Sequence, residues 1–211
     1  MVRKPNPYIN SIKMKTGIIV LAAGSSSRLG QSKQMLDIGG ETLLLKTVKA
    51  AIDSHEGSIA VALGANEKEH RKMLRGLPIN IVYNEDWVKG MGGSLKIGLQ
   101  HLMSENSSLE AIVVLVCDQP LLRKENITNL ILSYQENKKS IIASRYSQIP
   151  GVPVLFNKVY FPELMALPDD QGAKKIILQN PEDVFAVDFP GGEIDLDTDA
   201  DYKAFIKTRR K

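Results

Sequence analysis

The sequence predicts an α/β fold built on a mainly parallel sheet. Short apolar segments rich in β-branched residues alternate along the first two thirds of the chain with longer segments whose apolar positions follow a helical spacing. The short segments are typical of strands buried on both faces, and the alternation is typical of βαβ units. Helices must then cover both faces of the sheet, so the expected architecture has three layers, α/β/α.

The elements follow one another in a regular order. The predicted strands cover residues 17–22, 58–63, 80–83, 111–116 and 140–143, and the predicted helices cover residues 43–52, 67–74, 94–103 and 124–137. After Tyr146 the periodicity weakens because prolines become frequent. The sequence contains no repeat and no obvious linker, so residues 15–211 are predicted to form a single domain, with residues 1–14 as a flexible extension.

Composition excludes several classes of protein. A net charge of +3 over 211 residues gives no reason to expect a nucleic-acid or membrane partner, and much of the excess lies at the chain ends. The single cysteine, Cys117, excludes an internal disulfide framework and is expected to be buried. Without a long apolar run or an apolar leader, the protein is expected to be cytoplasmic.

The segment after the first predicted strand has the composition of an anion-binding loop. Gly24 and Gly30 allow a close approach of the backbone to a ligand, and Arg28 and Lys33 can neutralise phosphate charge. The spacing matches neither the ATPase phosphate loop nor the dinucleotide-binding fingerprint. Taken alone, the segment is equally consistent with a solvated glycine- and serine-rich connection.

Ligands in open parallel sheets bind beyond the carboxyl ends of the strands. The segments after Ala22, Tyr83 and Val116 are therefore the places to expect a site. Asp118 follows the most apolar strand, and Mg²⁺ prefers such carboxylate oxygens together with phosphates and water. Asp118 is therefore the first candidate metal ligand, the alternative being a cap on the following turn.

At this point the sequence resembles a known family. The run Leu-Ala-Ala-Gly-x3-Arg-x-Gly-x2-Lys, residues 21–33, resembles the signature of nucleotidyltransferases with the Rossmann-like glycosyltransferase-A fold, also described as the nucleotide-diphospho-sugar transferase fold. In that family the first backbone segment cradles base and ribose, while the Arg and Lys hold the triphosphate. The resemblance implies these roles for Leu21, Ala22, Ala23, Gly24, Arg28 and Lys33.

Further motifs resemble the molybdenum cofactor cytidylyltransferase branch. Residues 90–99 are similar to its Gly-x3-Ser-Leu-x2-Gly-Leu motif, which implies that Gly90 and Ser94 contact the nucleobase, although a serine there could equally cap a helix. Residues 150–156 and 170–174 resemble two later motifs, with Asp169 where the family usually has Gly. Residues 193–202 resemble the acidic C-terminal motif.

The resemblance also implies a metal and a reaction. Asp197 is the implied second Mg²⁺ ligand beside Asp118, with Asp195 as its alternative. The implied reaction moves CMP from Mg-CTP to a molybdopterin-type phosphorylated acceptor and releases pyrophosphate, with Arg28, Lys33 and Asp118 as the catalytic residues. The histidines at positions 55, 70 and 101 lack metal-ligand spacing and are expected on the surface.

Two other functions stay open at this stage. One is a transferase of the same fold that uses GTP or a sugar-phosphate acceptor. The other is a non-catalytic maturation factor that hands a finished cofactor to a molybdenum hydroxylase, which is also an expected client of the enzyme. A maturation factor needs no metal ligand, so the presence of Asp118 with Arg28 and Lys33 favours the enzyme.

Overall fold

The computed structural model describes residues 15–26, 29–54 and 57–209. The extension predicted for residues 1–14 lies outside these ranges, as do Arg28 and His55. Within the described ranges, no helix is both long enough and apolar enough to cross a membrane.

The described part of the chain contains one seven-stranded sheet surrounded by helices. The strands are β1 (Thr16–Ala22), β2 (Ile59–Leu63), β3 (Asn80–Tyr83), β4 (Ala111–Val116), β5 (Ile141–Tyr146), β6 (Ile149–Asn157) and β7 (Val184–Asp188). The helices are α1 (Leu43–Ser54), α2 (Glu67–Met73), α3 (Met91–Glu105), α4 (Lys124–Glu136), α5 (Phe161–Met165), α6 (Lys174–Gln179) and α7 (Asp199–Arg209).

The strand order is β3-β2-β1-β4-β6-β5-β7. The first four strands of this order are mutually parallel, β6 runs antiparallel to both β4 and β5, and β7 is parallel to β5. The predicted α/β fold with a mainly parallel sheet is therefore confirmed. The carboxyl ends of β1, β2, β3 and β4 meet at one edge, where the site is expected.

Strands β6 and β7 were not predicted from the sequence. Pro150 and Pro153 interrupt the apolar pattern of β6, and a proline argues against a central strand because it cannot donate to the ladder. The pairing accommodates them: the register with β5 shifts between Ala143 and Ser144, and the pairing with β4 stops at Val154. Strand β7 lies at the sheet edge and is only partly buried, so it lacks a continuous apolar run.

The core lies on both faces of the sheet. Alternate residues of a strand point to opposite faces, and in β1 the side chains of Ile18 and Val20 pack in one cluster while Ile19 packs in the other. The first cluster includes buried residues of α1, α4 and α7, and the second includes those of α3, α5 and α6. The sheet is thus covered on both faces, which explains its nearly continuous apolar strands.

Candidate active site

A pocket of about 310 Å³ opens at the carboxyl edge of β1 and β4. The predicted site residues that line it are Leu21, Ala23, Gly24, Lys33, Gly90, Ser94 and Asp118. Ala22, the last residue of β1, is buried and is not among the lining residues. Arg28 lies outside the described residues, so the pocket is characterised without it. Its volume is in the range of pockets that bind small ligands.

The loop after β1 forms one wall of the pocket. The carbonyl oxygen of Ala23 accepts a hydrogen bond from the backbone N–H of Ala65 at 2.9 Å, which ties the loop to the end of β2. Gly24 is exposed, and no described atom lies within 4 Å of the position that a Cβ would take. The backbone at Gly24 therefore leaves room for close approach by a ligand.

Lys33 contacts two carboxylates, that of Asp118, which lines the pocket, and that of Asp197, which is not among the lining residues. Its Nζ lies 3.2 Å from Oδ2 of Asp118 and 2.8 Å from Oδ1 of Asp197. Burial alone would lower the pKa of Lys33, but the charge of Asp118 and the hydrogen bond to Asp197 outweigh it, so this pKa is raised. Lys33 is therefore kept positively charged at the end of the loop that follows β1.

The end of β4 fixes the acidic C-terminal segment beside Lys33. The backbone N–H of Leu196 donates to the carbonyl oxygen of Asp118 at 3.0 Å. The buried Gln119 donates through Nε2 to the carbonyl oxygen of Gly192 at 2.8 Å. These two contacts bring Asp197, which is distant in sequence, next to Asp118.

The charges of Asp118 and Asp197 also affect a third carboxyl group, that of Asp195. The pKa of Asp195 is raised to about 6 by burial and by the negative charges of Asp118 and Asp197. A raised carboxyl pKa means that the ionised form is disfavoured where other negative charges lie close by. Together, the carboxyl groups of Asp118, Asp195 and Asp197 favour the binding of a cation in addition to Lys33.

The carboxylates of Asp118 and Asp197 suit a magnesium ion. Oδ1 of Asp118 is buried and has no hydrogen-bond partner in the described structure, which is an open ligand position on a carboxylate. Across residues 15–26, 29–54 and 57–209, no group of three or more His, Cys, Asp or Glu side chains is arranged to hold a metal. Mg²⁺ needs only one or two carboxylates when phosphates and water complete its shell, so the pair fits this ion.

The remaining wall comes from the end of β3 and the start of α3. Helix α3 begins at Met91, earlier than predicted, and Gly90 occupies its N-cap position at φ 130°. Ser94 is therefore inside the helix rather than at its cap. It is 1% exposed, and its Oγ accepts a hydrogen bond of 2.9 Å from Nδ2 of Asn84. Asn84 thus fixes the Ser94 hydroxyl at the pocket.

The segment before α6 packs against this wall. The backbone N–H of Gly92 donates to the carbonyl oxygen of Asp169 at 2.9 Å, and Nζ of Lys96 lies 2.7 Å from Oδ1 of Asp169. A Cβ on Gly90 would lie 2.3 Å from the carbonyl oxygen of Asp169. Asp169, which departs from the family motif, therefore provides an ion pair that locks the two segments together.

Four residues of the site were not identified from the sequence. Gln34 and Asn84 are each 1% exposed, Gln119 is 2% exposed, and Trp87 lines the pocket. All four lie within a few residues of a strand end or of Lys33, which is the signal that could have identified them. The amide groups of Gln34, Asn84 and Gln119 donate to backbone carbonyls or to a serine hydroxyl at least ten residues away in the sequence, and a linear pattern does not contain such pairings.

The expectation for the histidines is wrong at one position. His70 on α2 is fully buried, and its Nε2 lies 2.9 Å from Oγ of Ser32. It lies beneath the site because α2 packs its inner face against the segment that carries Lys33. The expectation for Cys117 is confirmed: the thiol is buried, and burial raises its pKa to about 12.

The chain is similar in sequence to several known proteins. The sequence matches the MobA-like NTP transferase domain family over residues 18–184. The chain is 28% identical over 181 residues to the molybdenum cofactor cytidylyltransferase of Escherichia coli, covering 86% of this chain and 89% of that protein. It is 27% identical over 169 residues to the purine catabolism protein PucB of Bacillus subtilis, covering 75% and 78% of the two chains.

A solved structure has a similar fold. The crystal structure of Rv0371c from Mycobacterium tuberculosis superposes with a TM-score of 0.80 at 26% identity, covering 92% of this chain and 98% of that one. The family match spans most of the chain, residues 18–184 of 211. This chain therefore belongs to the MobA-like NTP transferase family and is a nucleotidyltransferase.

Proposed function

We propose that this nucleotidyltransferase moves CMP from Mg²⁺-bound CTP to a molybdopterin-type phosphorylated acceptor and releases pyrophosphate. The observation that carries the proposal is the contact of Lys33 with Asp118 and Asp197 beside the loop that follows β1. The similarity to the cytidylyltransferase of Escherichia coli supports the choice of CTP and acceptor. A molybdenum hydroxylase is the client that such a product would serve.

The reaction is an in-line displacement at the α-phosphorus. An oxygen of the acceptor phosphate forms the new P–O bond, and the bond between the α-phosphorus and the bridging oxygen of the β-phosphate breaks, so that pyrophosphate leaves. Such transfers depend on positioning and on neutralisation of charge rather than on a covalent nucleophile. The pocket accordingly offers a cation, carboxylates and backbone groups.

Each part of the pocket has a role in this scheme. The backbone from Leu21 to Gly24 receives the base and ribose, and Ser94 contacts the base from the opposite wall. Lys33 binds phosphate oxygens as a point charge, and Arg28 is assigned the same task from the sequence motif. Asp118 and Asp197 would hold Mg²⁺, which when bound neutralises negative charge on the triphosphate.

Thermal melting with a nucleotide panel tests the proposal without an unstable acceptor. We expect Mg²⁺ with CTP to stabilise the protein more than Mg²⁺ with GTP, UTP or ATP. At a hundred times its Kd a ligand adds about 2.7 kcal/mol, which is several degrees for a domain of this size. Asp118→Asn should weaken the shift, whereas the matched control Asp53→Asn, at an exposed position on α1, should keep it.

The outcomes separate the alternatives. A melting shift selective for GTP would be consistent with the same fold and chemistry. The product would then be the guanine dinucleotide instead of the cytosine dinucleotide. A CTP shift that is equally large in Asp118→Asn and without Mg²⁺ would remove Asp118 as a metal ligand and favour a maturation factor. The absence of any shift, repeated with the acceptor present, would contradict the proposal.

A further inference from the structure

We propose that Gln34 is a positioning residue, which fixes the conformation of the loop after β1 and, through it, the place of Lys33. The inference rests on the proposed function, because it assigns Gln34 to the triphosphate-binding step. Gln34 itself contacts neither carboxylate and acts through its neighbours. The loop is defined here by its described residues, 22–26 and 29–33.

The amide of Gln34 connects the two ends of this loop. Its Nε2 donates to the carbonyl oxygens of Ala22 at 3.2 Å and Gly24 at 2.9 Å. Its Oε1 accepts hydrogen bonds from the Oγ atoms of Ser26 at 3.2 Å and Ser32 at 2.8 Å. Two donors and two acceptor sites are the full capacity of an amide side chain, so Gln34 uses all of it on the loop.

Burial makes these four contacts important. Gln34 is 1% exposed, so water cannot replace a contact that is lost. An apolar side chain of the same size would leave the loop carbonyls without this donor. The contacts also hold Ser26 at φ 56°, a left-handed conformation that non-glycine residues adopt only when their surroundings enforce it.

Ser26 connects Gln34 to Lys33. Its Oγ donates to Oε1 of Gln34 and accepts a hydrogen bond from the backbone N–H of Lys33 at 2.9 Å. This hydrogen bond fixes the backbone of Lys33 next to Ser26. The Nζ atom of Lys33 then contacts the carboxylates of Asp118 and Asp197. A substitution of Gln34 should therefore weaken triphosphate binding by displacing Lys33.

The test combines Gln34→Met with Lys33→Ala in a double-mutant cycle. Triphosphate affinity is measured by the fluorescence of Trp87, the only tryptophan of the chain, which lines the pocket. We expect Gln34→Met to weaken binding of Mg-CTP roughly 10- to 100-fold, as changes to residues that orient a ligand group commonly do. In the Lys33→Ala background the same change should cost much less, because the two residues act as one unit.

A second measurement needs no nucleotide. Amide hydrogen exchange of peptides covering residues 20–36 should be about tenfold faster or more in Gln34→Met, because the loop then opens more easily. Ser26→Ala should change exchange and affinity in the same direction but less. Gln31→Met, at an exposed position in the same loop, is the matched control and should match the wild type in both measurements.

The outcomes distinguish this inference from the proposed function. Unchanged exchange in Gln34→Met, or affinity losses that simply add in the double variant, would overturn the positioning role. If the folded wild type binds no triphosphate, the proposed function fails, and the exchange result alone then decides whether Gln34 orders the loop. Faster exchange with a non-additive loss of affinity supports the inference.

Discussion

At the scale of single residues, the site is organised by charge. Lys33 contacts the carboxylates of Asp118 and Asp197, and the charges of these two groups also act on the carboxyl group of Asp195. Burial, and then the negative charges of Asp118 and Asp197, raise the pKa of Asp195 to about 6, so the ionised form of this group is disfavoured. A nucleotidyl transfer site benefits from this arrangement because it attracts the cation that the triphosphate also needs.

The buried His70 predicts a pH-dependent stability. Burial lowers its pKa from the ordinary 6.5, although the charges of Glu69 and Glu67 act in the opposite direction. Well above pH 6.5 the imidazole is neutral in both the folded and the unfolded state. As the pH falls through 6.5, the unfolded state binds the proton first, and stability is lost. We expect a slope of at most about 1.4 kcal/mol per pH unit from this residue.

Chemical denaturation at pH 5 and pH 7 measures this contribution. His70→Gln should lose less stability between the two pH values than the wild type does, even if its stability at pH 7 is lower. An equal loss in both proteins would show that His70 does not contribute to the pH dependence.

The sequence could predict single site residues only where they belong to a motif. Lys33 and Asp118 follow from their place after apolar strands and from the family signature, and the structure brings them within 3.2 Å of each other. Gln34 and Asn84 could not be assigned a role, because their hydrogen bonds join segments that only the folded chain brings together. Arg28 stays a prediction from the motif.

At the scale of elements, close packing between two loops shapes one wall of the pocket. Gly92 at the start of α3 packs on the segment before α6, and a Cβ there would lie 2.3 Å from the carbonyl oxygen of Pro168. Backbone atoms in this position cannot move aside as a flexible side chain could. The glycine is therefore required by packing, as well as by any contact with a ligand.

Gly92→Ala should destabilise the protein by about 1–3 kcal/mol, the usual cost of overpacking. Gly93→Ala is the matched control: its Cβ would meet only side-chain atoms, the nearest at 3.4 Å, and alanine is the better helix former. Denaturant unfolding of the two variants measures the difference. Equal stability in both would contradict the tight contact between the two segments.

Strands could be predicted from the sequence where nearly all of their residues are buried. Strands β1 and β4 are almost completely buried, so their apolar runs identify them. Strand β6 lies inside the sheet between β4 and β5, but its prolines interrupt the apolar pattern. Its antiparallel direction depends on a hairpin with β5 that the sequence pattern did not indicate. The half-exposed edge strand β7 has no periodicity strong enough to recognise.

At the scale of the whole molecule, the two core clusters share one sheet. We propose that residues 15–211 unfold as a single unit, because the strands contribute alternate side chains to both clusters. Leu44→Ala on α1 and Leu99→Ala on α3 remove fully buried side chains from opposite faces. Each should cost about 2–5 kcal/mol.

Calorimetry distinguishes one unit from two. Each variant should shift one cooperative transition, with calorimetric and van't Hoff enthalpies in agreement as in the wild type. Two separate transitions, with each variant moving only one of them, would show that the faces unfold independently.

The central claim, nucleotidyl transfer, is tested most directly by following the phosphates of the triphosphate. The protein is incubated with Mg²⁺, a molybdopterin-type acceptor and CTP labelled either at the α- or at the γ-phosphate. We predict that the α-label enters the acceptor product and the γ-label leaves as pyrophosphate, and that Asp118→Asn abolishes both. Transfer of the γ-label to the acceptor, or recovery of all CTP intact at saturating acceptor, would contradict the account.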